Sequence, residues 1–165
     1  MDDKKRSYYN AQGKLVLPQV TLCAMDSVQV RATLKAMEYS MKDIVFADAV
    51  IITDKKPLFM PKGIRYAHID KLCNIDDFNY KTVYDLGDYI KTEFALLVHY
   101  DGFVVHPEMW RDEFLEYDYI GSPWPLPKPG FHCADCLFLL IQYKKNIHHL
   151  FVSGRLVGCV YIHNF

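Results

Sequence analysis

At 165 residues, one domain with its own core is the default. An apolar fraction of 51%, a charged fraction of 24% and a formal net charge of −1 suit an ordinary globular chain; without a basic stripe they exclude an electrostatic footprint for nucleic acid. No run is apolar and long enough to span a bilayer, and the polar start lacks the apolar stretch of a signal peptide, so the expectation is a cytoplasmic chain with five reduced cysteines.

Residues 1–17 read as a peripheral lead-in, residues 18–125 as an α/β domain, and residues 126–165 as a divergent tail packed on or beside it. Pro18 to Asp26 is the first expected strand, because Val20, Leu22 and Ala24 alternate with Thr21 and Cys23. Asp26-Ser27 offers a helix N-cap. Val28, Ala32, Leu34, Ala36 and Met37 then give a broad apolar face through about Met41. Phe46 to Asp54 has the continuous apolar run of a parallel strand covered on both sides. Lys55 to Gly63, with two prolines and a glycine, is a loop. Ile64 to Asp70 is the third strand. Asp76 to Thr92 reads as a helix with Phe78, Val83, Tyr84, Leu86 and Ile90 on its apolar side, weakened at Gly87. Phe94 to Val98 is the fourth strand, and a short helical segment starts at Pro107. In the tail, Leu137 to Ile141 and Leu156 to Ile162 are apolar runs compatible with strands or with cover for a sheet edge. The order of elements predicts an α/β fold with a mainly parallel sheet flanked by helices.

All four expected strands end at an aspartate: Asp26, Asp54, Asp70 and Asp101. Ligands of open α/β sheets bind outside the carboxyl ends of the strands. Acids gathered there repel one another unless a cation or hydrogen-bond donors satisfy them, and Mg²⁺ or Mn²⁺ carrying a diphosphate would do so. The competing reading is that aspartate is a common turn and cap residue, which applies to Asp26 and Asp70 in particular. Asp101 lies between Tyr100 and Gly102 and is the strongest candidate ligand. Gly-x-Gly-x-x-Gly, Walker and Gly-x-Ser-x-Gly patterns are absent from the sequence, which argues against a dinucleotide-binding dehydrogenase, a P-loop enzyme and a serine hydrolase. Cys133 and Cys136, with Cys159 and His163 downstream, have spacings that close a zinc site, or are buried free thiols. Trp110, Trp124, Tyr117 and Tyr119 are either core or a stacking platform.

The segment DGFVVHPEMWRDEFLEYDYIGSPW, from Asp101 to Trp124, resembles a glycosyltransferase-like family of unknown function related to the GT-A nucleotide-sugar transferases. The residues that carry the likeness are Asp101-Gly102-Phe103, Trp110, Phe114-Leu115, Tyr117 to Gly121 and Pro123-Trp124, and the resemblance extends over about residues 18 to 125. It implies a GT-A-like, Rossmann-like sheet that takes a nucleotide-sugar donor and passes its sugar to an acceptor of unknown identity. His99-Tyr100-Asp101 stands where such enzymes carry an Asp-x-Asp-like motif. Asp101 is then the implied ligand of Mn²⁺ or Mg²⁺, and Asp26, Asp54, Tyr100 and Gly102 the implied donor-binding residues. After Trp124 the chain departs from the family: a glycine-rich segment and a Glu-Asp pair do not follow. Asp135 is the one acid after Asp118 and hence the remaining candidate base. The chain therefore reads as a truncated or divergent member, either a transferase or a donor-binding or protein-interaction remnant of the same fold.

Overall fold

The computed structural model describes residues 7–121 with their side chains and the backbone of Leu139–Gln142 and Leu156–Gly158. The fold is α/β. Strands β1 (Tyr8–Tyr9), β2 (Leu15–Met25), β3 (Ile44–Thr53), β4 (Arg65–His68), β5 (Phe94–Leu97), β6 (Tyr119–Gly121), β7 (Leu139–Gln142) and β8 (Leu156–Gly158) form one mixed sheet. Helices α1 (Val30–Ser40) and α2 (Ile75–Tyr84) connect its parallel part. Strand order is β4-β3-β2-β5-β7-β6-β8, with β1 antiparallel to the start of β2. The four strands β4-β3-β2-β5 are mutually parallel, whereas β7 runs antiparallel between β5 and β6. Both apolar runs of the tail thus contribute strands, and the sheet is less uniformly parallel than its first half suggests.

The parallel part of the sheet is covered on both faces, as the buried apolar run Ala49 to Ile52 of β3 requires. Alternate residues Leu22, Ala24, Ile51, Leu96 and Val98 point to one face, where Leu34 and Met37 of α1 and the half-buried Phe103, Trp110 and Phe114 pack. Their neighbours Cys23, Met25, Val50, Ile52 and Leu97 point to the other, against Ile69, Leu72, Leu86 and the half-buried Phe78. The chain leaves β2 and β3 on the first face and returns to β5 through α2 on the second. The direction of winding therefore reverses between β2 and β5, which are hydrogen-bonded neighbours with Cys23 opposite Leu97.

Several boundaries differ from the sequence reading. β2 begins at Leu15, not Pro18, and Leu15 and Leu17 are buried, so the end of the supposed lead-in belongs to the core. Pro18 is tolerated because the ladder to β3 is irregular between Leu17 and Thr21. Val28 lies before α1 and is exposed, as is Ala32 on it, while Thr33 and Ser40 are buried. The second helix stops at Tyr84 and gives way to a 3-10 turn, Leu86–Tyr89, that contains Gly87. Tyr84 is exposed, contrary to its expected place on the apolar side. The segment after Pro107 is two 3-10 turns, Pro107–Met109 and Asp112–Glu116. Ile120 is buried and Tyr119 half-buried, and Trp124 lies outside the described residues. No helix among the described residues is long and apolar enough to cross a membrane.

Candidate functional site

Where an open sheet reverses its winding, the loops at the carboxyl ends of the two central strands diverge to opposite faces and leave a crevice. Here those loops are Asp26–Gln29, after β2, and His99–Gly102, after β5. Cys23 pairs with Leu97, so Asp26 and Tyr100 each stand three residues beyond a matched pair. The ladder continues one step past β5, with the Val98 N–H donating to the Cys23 carbonyl at 2.9 Å. Both loops are therefore fixed to the most buried part of the sheet.

The β5 wall is a tight turn. The His99 N–H donates to the Gly102 carbonyl at 2.8 Å, and the Gly102 N–H donates back at 3.3 Å, which leaves Tyr100 and Asp101 at the tip. Tyr100 and Asp101 are exposed, and Gly102 is buried. Closure by the backbone leaves the Asp101 carboxylate without a hydrogen bond to any described residue. His99 is half-buried, and its ring lies edge-on to Phe78 of α2 with centroids 5.1 Å apart. Burial pushes the imidazole pKa down, while the charges of Asp101 and Asp26 act in the opposite direction. Burial thus disfavours the imidazolium form of His99, even with the acids Asp101 and Asp26 close enough to act against it.

The β2 wall uses its acid differently. Asp26 Oδ1 accepts from the Val28 N–H at 2.6 Å and from the Gln29 N–H at 2.8 Å, and Oδ2 accepts from the hydroxyl of the fully buried Thr33. Gln29, the residue at the N-cap position of α1, makes no side-chain cap bond, so Asp26 serves that end in its place. The bonds that the structural reading of Asp26 expects are present. Ser27 is also committed, its Oγ accepting from the Leu72 N–H at 3.1 Å and tying the β4–α2 link to this wall.

Asp54 and Asp70 lie on the same edge but farther along it, beyond the paired Thr53 and His68. Asp54 is half-buried and accepts from its neighbour's Thr53 hydroxyl at 3.4 Å, and Asp70 is exposed. The sheet thus carries all four aspartates on one edge, but the switch point joins only Asp26 and Asp101. Among the described residues no three His, Cys, Asp or Glu side chains form a group able to hold a metal ion. Asp135, Cys133, Cys136, Cys159 and His163 lie outside the described residues.

Sequence reasoning missed a further polar device. Asp48, inside the apolar β3 run, receives both its oxygens' bonds from Arg65 Nε, at 3.1 and 2.8 Å, and Arg65 also donates through Nη2 to the Tyr89 carbonyl. A half-buried acid within a strand requires a partner, and the arginine of the adjacent short strand supplies it. That signal was available in the sequence. The contact of His99 with Phe78 was not, because the two are joined only by the fold.

Compared with models of known protein families the chain matches none, and a search of curated proteins finds no similar sequence.

Proposed function

We propose that the crevice between β2 and β5 binds the nucleoside diphosphate of a nucleotide-sugar donor, with a divalent cation held at Asp101, and that the domain is a glycosyltransferase of GT-A-like fold. The observation that carries this reading is the reversal of winding between β2 and β5, which flanks one crevice with Asp26 and with the free carboxylate of Asp101. The likeness of the Asp101 to Trp124 segment to glycosyltransferase-like domains supports it independently.

Electrostatics decides how such a ligand would be taken. A site flanked by the acids Asp26 and Asp101 repels a bare diphosphate. The N–H groups of Val28 and Gln29, which at a helix start would otherwise attract phosphate, are already bonded to Asp26. A hard cation reverses the sign of the site. Mg²⁺ is commonly held by one or two carboxylates, with waters and substrate phosphates completing its shell, and the single free acid at Asp101 fits that pattern. When bound, the ion neutralises charge that grows on the departing diphosphate. Asp101 would hold the ion, and Tyr100 and Gly102 would line the donor. His99, whose charged form burial disfavours, would compete less with the ion as a second cation. Asp26 would keep the facing wall in shape, and Asp54 would lie toward the nucleoside.

The test is a thermal-shift panel of nucleoside diphosphates with and without Mn²⁺. A ligand that binds only the native state at about 100 times its Kd adds about 2.7 kcal/mol of apparent stability. A shift that requires Mn²⁺ is expected; no shift with any nucleoside diphosphate would remove the donor reading. A second reading, a donor-binding module without transfer, rests on the scarcity of acids after Asp118, where Asp135 is the one candidate base in this chain. Release of sugar from a donor in the presence of Mn²⁺ favours the transferase. Binding without release favours the module.

A further inference from the structure

We infer that the loop joining β3 to β4 is a docking element for an anionic lipid bilayer. After the half-buried Asp54 it reads Lys55-Lys56-Pro57-Leu58-Phe59-Met60-Pro61-Lys62-Gly63, three lysines against that one acid in a chain of net charge −1. Leu58 and Phe59 are 96% and 89% exposed, the two most exposed large apolar side chains among the described residues. Lys55, Lys56 and Lys62 are exposed as well, and none makes an ion pair or hydrogen bond with a described residue.

The loop is anchored, so this exposure is built in. Met60 packs against the core on the α1 face of the sheet, a core to which the buried Ile64 also belongs. Pro57 and Pro61 are half-buried on either side of the tip. The Ile64 N–H donates to the Pro61 carbonyl at 3.3 Å, and Gly63 turns the chain at φ 89°, a conformation that side chains other than glycine's rarely adopt. With Met60 turned inward, Leu58 and Phe59 are held outward between the lysines.

An apolar tip within a ring of unpaired cations matches one environment closely. Bilayer interfaces accept Leu and Phe at the acyl boundary, and lysines at that depth meet lipid phosphates. A protein partner fits less well. A stable interface covers about 800 Å² per side around a well-packed centre, whereas two adjacent side chains supply only a tip, and a fluid bilayer requires no shape complementarity. The inference is independent of the donor site and stands or falls without it.

The experiment is vesicle flotation of the full chain, using phosphatidylcholine vesicles with and without 30% phosphatidylserine, at about 0.1 M and 0.5 M salt. Wild type is expected to bind the anionic vesicles, and less at the higher salt. Each lysine near such a surface is worth about fivefold in affinity, so the triple variant Lys55→Gln/Lys56→Gln/Lys62→Gln should lose on the order of a hundredfold. Leu58→Ser/Phe59→Ser should lose the binding that persists at 0.5 M salt. All five side chains are exposed, so thermal melting of both variants should match wild type. Absence of binding to anionic vesicles would overturn the inference, and so would binding that neither variant weakens. Self-association of wild type that Leu58→Ser/Phe59→Ser abolishes, without vesicle binding, would assign the loop to a second copy of this chain instead.

Discussion

Asp26 holds three donors at the start of α1, so its role there is geometric more than electrostatic. Asp26→Ala should cost about 1–2 kcal/mol in chemical denaturation, the usual loss for a helix-start cap. Asp26→Asn keeps an acceptor for Val28 and Gln29 and should cost clearly less; equal losses in the two variants would mean that the charge itself is what the fold uses. His99 gives a pH signature. Burial lowers its folded pKa below the ordinary imidazole value, so on acidification the unfolded chain takes up its proton first. The associated stability is full above the ordinary imidazole range and is lost as pH falls through it. Without added cation, unfolding midpoints measured from pH 7.5 to 5.5 should fall, and should fall less steeply in His99→Gln. Parallel profiles would show that the histidine is protonated alike in both states.

Helix α1 is joined to the segment after the candidate site by one buried hydroxyl. Ser40 Oγ donates to the Ala36 carbonyl at 3.0 Å and accepts from the Val104 N–H at 3.1 Å. Ser40→Ala leaves that N–H without its partner and should cost about 1–3 kcal/mol; an unchanged denaturation midpoint would show that water replaces the hydroxyl. The same pair explains why the apolar triplet Phe103 to Val105 is not a strand. Val104 spends its N–H on the helix, and the Phe103 ring meets Tyr39 edge-on with centroids 5.2 Å apart. Such long-range partners leave no trace in local periodicity. Elements whose shape follows from their own residues were legible: the four parallel strands, both helices, and the loop of Lys55 to Gly63. What was not legible was the exact extent of β2, because Leu15 and Leu17 are held by pairing with β3, and the end of α2, where Asp85 to Tyr89 tighten into a 3-10 turn.

Across the whole molecule, the two covered faces share one central sheet, and β5 contributes side chains to both. Leu96 packs on the α1 face and Leu97 on the α2 face. Leu96→Ala and Leu97→Ala should each cost about 2–5 kcal/mol, and each should shift a single unfolding transition, since neither face exists without the strand. Two separated transitions in either variant would mean that the faces unfold independently. The shared edge was legible at this scale too: the strand ends at Asp26, Asp54, Asp70 and Asp101 lie on one side of the sheet. Which of them face each other depended on strand order, and strand order places β2 beside β5. The most direct measurement is calorimetric titration of a nucleoside diphosphate into wild type and Asp101→Asn, with and without Mn²⁺. Asp101 makes no bond to a described residue, so the variant should melt with wild type. The expected result is an affinity gain from Mn²⁺ in wild type that Asp101→Asn lacks. An equal gain in both proteins would contradict the assignment of the cation to Asp101.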